Sequence, residues 1–136
     1  MKERMETGKI LTDSLLHSHK YYFSELKPSD LENGLAAVYA IFNKGDEQAL
    51  YVGRTKNIRQ RIYNNHLMGP LTNARLKKYL IDDDTLDDIK DAESAKKYII
   101  DNCYFQYIAV EDITTRGQIE GLLSYLLDVR YIYEEH

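Results

Sequence analysis

Tyr39 and Tyr51 stand twelve residues apart in two short apolar runs, Ala37-Val38-Tyr39 and Tyr51-Val52-Gly53. The second run opens directly onto Arg54-Thr55-Lys56-Asn57-Ile58-Arg59-Gln60-Arg61. Two phenols followed at once by a basic stretch are parts for chemistry at phosphate. Cleaving a phosphodiester requires a nucleophile, a group to take its proton, positive charge on the pentavalent phosphate and stabilisation of the leaving oxygen. A phenol of pKa about 10 is a poor base unless a cation lowers it, and Arg54, Lys56 and Arg61 are the cations at hand. Far downstream, Glu120 borders the apolar stripe Ile119, Leu122, Leu123, Leu126 and Leu127 of a helical pattern. A carboxylate half-sunk at the border of a core suits a metal ligand, and it equally suits an ion pair with Arg116, four residues earlier. Each tyrosine has a plainer reading too, because a chain with twelve of them places most at the edges of its core.

The elements that must position these groups are legible around them. Residues 35–42 and 48–52 are apolar, rich in β-branched and aromatic side chains, and Asn43-Lys44-Gly45-Asp46-Glu47 between them is a polar turn. This is a hairpin over about 35–53, on which Tyr39 and Tyr51 approach across the strand pair. Gly53 ends the second strand, and without a Cβ it lets backbone or ligand pass close. Asn57 caps a helix reaching about Leu67, with Ile58 and Ile62 inward and Arg61 beside that stripe, before Met68-Gly69-Pro70 stops it.

A second helix over about 72–81 carries Arg75, Lys77 and Lys78. Asp82–Asp88 lacks the ligand spacing and central glycine of a calcium loop, so it reads as a solvated acidic connection. A helix over Ala92–Asn102, a strand over Cys103–Val110 and a last helix over about Thr115–Val129 complete the order. Upstream, residues 3–19 show a loose helical pattern and Pro28–Gly34 a short capped turn. The expectation is an α/β (α+β) fold in which helices flank a small three-stranded, mainly antiparallel sheet, with residues 1–34 as a helical extension and 35–136 as the domain.

Charge separates along the chain. The net charge is −4, yet residues 44–78 carry eight Lys/Arg against two Asp/Glu, while residues 79–136 carry five against fourteen. The basic third coincides with the two tyrosine runs, so a polyanion has one favoured face. At 136 residues the length suits one domain. No run is long enough to span a membrane and the N-terminus lacks an apolar leader, so a cytoplasmic protein without a membrane partner is expected. Cys103 is the only cysteine, which excludes an internal disulfide and a cysteine-clustered zinc site. Oligomeric state is left open.

Over about residues 36–131, and most strongly over Leu50–Arg61, the chain resembles the GIY-YIG nucleases, in particular the nuclease domain of bacterial excision-repair proteins. Val-Tyr-Ala and Tyr-Val-Gly take the places of the two signature tripeptides. In that family two tyrosines, an arginine on the following helix and a glutamate on a later helix surround one divalent ion. The resemblance places these at Tyr39, Tyr51, Arg61 and Glu120, with Glu120 as ligand to Mg²⁺ or Mn²⁺. It offers His66 as a further catalytic candidate, although five residues from Arg61 an α-helix turns it about 140° away. Gly53, Arg54, Lys56, Arg59, Arg75, Lys77 and Lys78 would meet the backbone phosphates of DNA with little readout of sequence.

Many members of the family end in Pro-x-Tyr-Asn, whose asparagine supports the site. Here Val129-Arg130-Tyr131-Ile132 puts isoleucine in that place. The resemblance therefore implies a metal-dependent endonuclease, with a catalytically lapsed module that binds nucleic acid or a protein partner as the alternative.

Overall fold

A computed structural model describes residues 1–70 and 75–132. The chain runs α1 (Lys2–His17), β1 (Tyr21–Tyr22), two single 3₁₀ turns, β2 (Ala37–Asn43), β3 (Ala49–Thr55), a π-helix (Gln60–Leu67), α2 (Arg75–Asp82), α3 (Ala92–Asn102), β4 (Cys103–Ala109) and α4 (Ile113–Leu126). The sheet is antiparallel with strand order β1-β4-β2-β3. It has four strands where three were expected. The addition is β1, which pairs Tyr21 with Phe105 and Tyr22 with Tyr104, and a strand of two residues is too short to show an alternating pattern.

β2 is central, paired on both sides, and buried along six of its seven residues. Its alternate side chains enter two separate cores, as the period of two requires. Ala37, Tyr39 and Ile41 join Ile58, Ile62, Leu76, Leu80, Ile99 and Phe105 on one face. Val38, Ala40 and Phe42 meet Leu15 of α1 and Ile119 and Leu123 of α4 on the other. Cys103 is buried in β4, where the packing around it pushes its thiol up to about 12.

The local signals that start the helices act as capping rules predict. Asn57 Oδ1 accepts from the Gln60 backbone N–H (3.3 Å), Asp91 from Ser94 (2.9 Å) and Asp112 from Thr115 (2.9 Å). The part of the second expected helix over 72–74 lies outside the described residues. β3 forms one edge of the sheet, and the chain after α4 covers part of that edge. Arg130 N–H donates to Ala49 O (2.9 Å) and Tyr131 N–H to Leu50 O (3.1 Å). An exposed row of strand carbonyls is thereby satisfied.

Candidate active site

The register of the hairpin sets the two phenols at different depths. Tyr39 lies opposite Gly53 and Tyr51 opposite Ile41, so the tyrosines are diagonal neighbours with ring centroids 6.3 Å apart. Gly53 is needed for the packing of the strand pair itself. A Cβ there would fall 2.6 Å from Tyr39 Cζ, so the glycine accommodates the tyrosine ring across the strand pair. Tyr39 is fully buried beneath the helices, while Tyr51 keeps 6% of its surface at the edge strand.

Arg61 and His66 close over the phenols from the helix that follows β3. Arg61 Nε donates to Tyr39 Oη (3.1 Å) and its Nη2 to Tyr51 Oη (3.4 Å). His66 Nε2 lies 2.7 Å from Tyr39 Oη, and its ring also meets Tyr51 edge-on at 5.0 Å. The expectation that His66 points away fails because the helix is not α-helical here. It begins with an α-type bond, Arg61 N–H to Asn57 O, then widens to π bonding, with Met68 N–H donating to Tyr63 O. Bonding between residues five apart brings residues five apart onto one face, so Arg61 and His66 converge.

The end of that helix is held by an unexpected residue. Lys77, expected at phosphate, is 3% exposed, and its Nζ donates to Leu67 O (2.7 Å) and Gly69 O (3.1 Å). An ammonium on the last carbonyls of a helix satisfies acceptors that have no intrahelical donor. Burial, and then Lys96, lowers the Lys77 pKa.

The electrostatics of the sealed group follow from burial. Tyr39 is raised above the usual phenol value by burial and then by Tyr51, and the opposing pull of Arg61 does not overcome this. The sequence led to the opposite expectation, a phenol made more acidic by its cations. His66 is pushed down to about 3 by burial, assisted by Arg61, Lys77 and Arg75, and is neutral. Burial also works against the charge of Arg61, yet Tyr39 and Tyr51 together hold its pKa above the usual value. Were both Arg61 and His66 to donate to the Tyr39 oxygen, its own O–H would lack an acceptor in a fully buried site. The assignment that avoids this runs from Arg61 Nε–H to the phenol oxygen and from the phenol O–H to His66 Nε2. It leaves His66 Nδ1 as the proton-bearing nitrogen, buried without a hydrogen-bond partner among the described residues.

Glu120 reaches the same neighbourhood from α4. It lines a cleft of about 140 Å³ at the outer edge of β3 with Tyr51, Val52, Arg75, Tyr79, Ser124, Val129, Tyr131 and Ile132. Its pKa is raised by burial, against the pull of Arg54, Arg61 and Arg75. The ion pair with Arg116 does not form. Arg116 donates instead to Val110 O (3.1 Å) and Glu111 O (2.8 Å), and Arg54 lies 3.7 Å from Glu120. Among the described residues no group of three or more His, Cys, Asp or Glu could hold an ion. One half-buried carboxylate beside a cleft roomy enough for several waters fits Mg²⁺, which keeps much of its water shell.

Of the remaining expected phosphate contacts, Arg54, Lys56, Arg75 and Lys78 are exposed. Arg59 is partly buried, with Nε donating to Leu31 O (2.8 Å).

Sequence reasoning missed the far wall of the cleft. Asp83, read as part of a solvated connection, accepts from Thr85 N–H and Oγ1 on one oxygen, and from Arg130 and Tyr131 on the other. Thr85 first and Tyr131 next hold its carboxyl well below the usual range. This clamp fixes Tyr131, which stacks on Tyr79 at 5.5 Å. A single aspartate among five others between positions 82 and 91 carries no local mark of such a role.

Residues 35–99 match the family model of the GIY-YIG catalytic domain. The chain carries a GIY-YIG domain. The matched span holds Tyr39, Tyr51, Arg61 and His66 and ends before Glu120. No curated protein and no solved structure matched the chain. A GIY-YIG catalytic domain belongs to a nuclease class, and the antiparallel sheet flanked by helices agrees with its fold. Among the described residues no helix is long and apolar enough to cross a membrane.

Proposed function

We propose that the chain is a metal-dependent endonuclease that hydrolyses phosphodiester bonds in DNA. The observation that carries this reading is the convergence of one guanidinium on two phenols beside a half-buried carboxylate. Arg61 stays charged and only half-covered, and its fork presents positive charge where a phosphate gains negative charge. Tyr51 lines the cleft with Glu120 and is the phenol that can touch water, whereas Tyr39 is sealed. Tyr51 therefore orients the attacking water. Tyr39 and neutral His66 hold the Arg61 fork in place as positioning residues. Glu120 would hold Mg²⁺ or Mn²⁺, which when bound supplies Lewis-acid stabilisation of charge on the phosphate and the leaving oxygen. Exposed Arg54, Lys56, Arg75 and Lys78 bind backbone phosphates.

One observation favours a lapsed module that binds without cutting. Ile132 stands where the family has a supporting asparagine, it lines the cleft, and the neighbouring Tyr131 hydroxyl is committed to Asp83 (2.5 Å).

Cleavage of labelled duplex, single-stranded and branched DNA with Mg²⁺, Mn²⁺ or EDTA tests both readings. The expected result is metal-dependent product from wild type that is lost in Arg61→Ala and Glu120→Ala. Binding without product in either metal identifies the lapsed module.

A further inference from the structure

Arg54 sits between two places that need it. Its Nη1 lies 3.7 Å from Glu120 Oε1, with the side chains 53% and 31% exposed. The guanidinium rests against α4 at Gly117, three residues before Glu120 and so on the same side of the helix. A Cβ on Gly117 would fall 2.5 Å from Arg54 Nη1, so the missing side chain is what opens this resting place. Arg54 and Gly117 also line an open groove of about 680 Å³ with Thr55, Lys56, Thr114 and Gln118, a lining that does not include Glu120.

We propose that Arg54 gates metal loading: in the free protein it occupies Glu120, and DNA phosphate in the adjoining groove draws it off so that the carboxylate can take the ion. The inference rests on the reading of Glu120 as the metal ligand. Its physical basis is competition, since a guanidinium and a divalent ion drawn to the same carboxylate repel one another. An exposed ion pair is weak, so the gate is soft and its effect is several-fold. Coupling between sites is reciprocal, so the ion and DNA then strengthen one another's binding.

The test is Mn²⁺ titrated into the full chain without DNA, with free aquo-Mn²⁺ read by electron paramagnetic resonance. Arg54→Ala is expected to bind Mn²⁺ about three- to tenfold more tightly than wild type. Gly117→Ala, which keeps the charge of Arg54 but fills its resting place, should move affinity in the same direction. Unchanged or weaker binding in both variants overturns the gate and leaves the ligand role of Glu120 standing. Glu120→Gln is expected to lose the bound ion. If it binds as wild type does, the ligand assignment falls and the gate with it.

A second arm uses the Arg61→Ala background, so that the DNA persists, with saturating duplex and DNA alone as the blank. Duplex should raise Mn²⁺ affinity when Arg54 is present and leave it nearly unchanged in Arg54→Ala. Equal enhancement in both removes DNA as the opener of the gate.

Discussion

Tyr39 and Tyr51 carry the same phenol on paired strands and both receive a hydrogen bond from Arg61, yet they belong to different environments. Tyr39 has the Gly53 backbone on one side, His66 above it and no exposed surface, and every polar atom around it depends on its neighbours. Tyr51 stands on the edge strand, where helices from both faces of the sheet leave a cleft, with Glu120 across from it. The difference separates two duties that the sequence leaves merged. A sealed phenol maintains geometry, because unpaired polar groups in its place are costly, and a phenol at a cleft can address water. Deep burial makes the same residue type a structural device at one position and leaves it available for chemistry two residues along the ladder.

The largest effect that sharpens this contrast is on cleavage. Tyr51→Phe should lower the cleavage rate by roughly 10²-fold or more, the loss of one positioned donor, with a stability change of less than about 1 kcal/mol by urea denaturation. A stability loss as large as that of the Tyr39 variant would erase the distinction.

Next comes Gly53→Ala. The added methyl must displace the Tyr39 ring or the strand, which costs about 1–3 kcal/mol and lowers the urea midpoint. Tyr39→Phe follows with about 1–3 kcal/mol, because it deprives buried His66 of its hydrogen bond to Tyr39 and Arg61 Nε of an acceptor. Its cleavage defect should accompany the stability loss.

A smaller effect is the pH dependence of stability. His66 is held near 3 in the folded protein against an ordinary 6.5. Below pH about 6.5 the unfolded chain takes up a proton that the folded chain refuses, so stability falls with decreasing pH by about 1 kcal/mol per unit and stops falling once pH passes the folded value. Urea unfolding at pH 7.5 and 5.5 reads it, and His66→Gln should flatten that part of the profile. An unchanged profile in the variant would show that His66 is not sealed.

The smallest effect belongs to Lys78, in contrast to its neighbour Lys77. Lys78→Ala should leave stability within about 0.5 kcal/mol and reduce the salt dependence of DNA binding by about one phosphate contact. Lys77→Ala should instead lower stability by about 1–3 kcal/mol, with carbonyls at the end of the π-helix left unpaired.

Much of this arrangement is legible in the sequence because it depends on neighbours along the chain. The apolar runs around a polar turn specify the hairpin, and Asn57, Asp91 and Asp112 mark helix starts through side chains that reach backbone three residues on. The resemblance to the GIY-YIG nucleases picks out Tyr39, Tyr51, Arg61 and Glu120, and in the fold Arg61 reaches both phenols while Glu120 lines the cleft with Tyr51.

Other features depend on partners far along the chain or on a choice among backbone bonding patterns. α-Helical geometry turns His66, a further catalytic candidate, away from Arg61, and the π bonding that returns it has no mark in local composition. Lys77 and Lys78 are adjacent and alike, and only the packing of α2 against the end of the π-helix makes one a cap and leaves the other exposed. Asp83 differs from its acidic neighbours because Thr85 donates to one of its oxygens while Arg130 and Tyr131, nearly fifty residues later, return to the other. By itself the sequence determined most of the elements, β1 and the π bonding excepted, and which chemical groups they carry, since those follow from short-range periodicity and capping. Only the tertiary structure decided which phenol is sealed, which lysine is buried and which cation holds Glu120, because burial and pairing are set by surfaces that distant segments bring together.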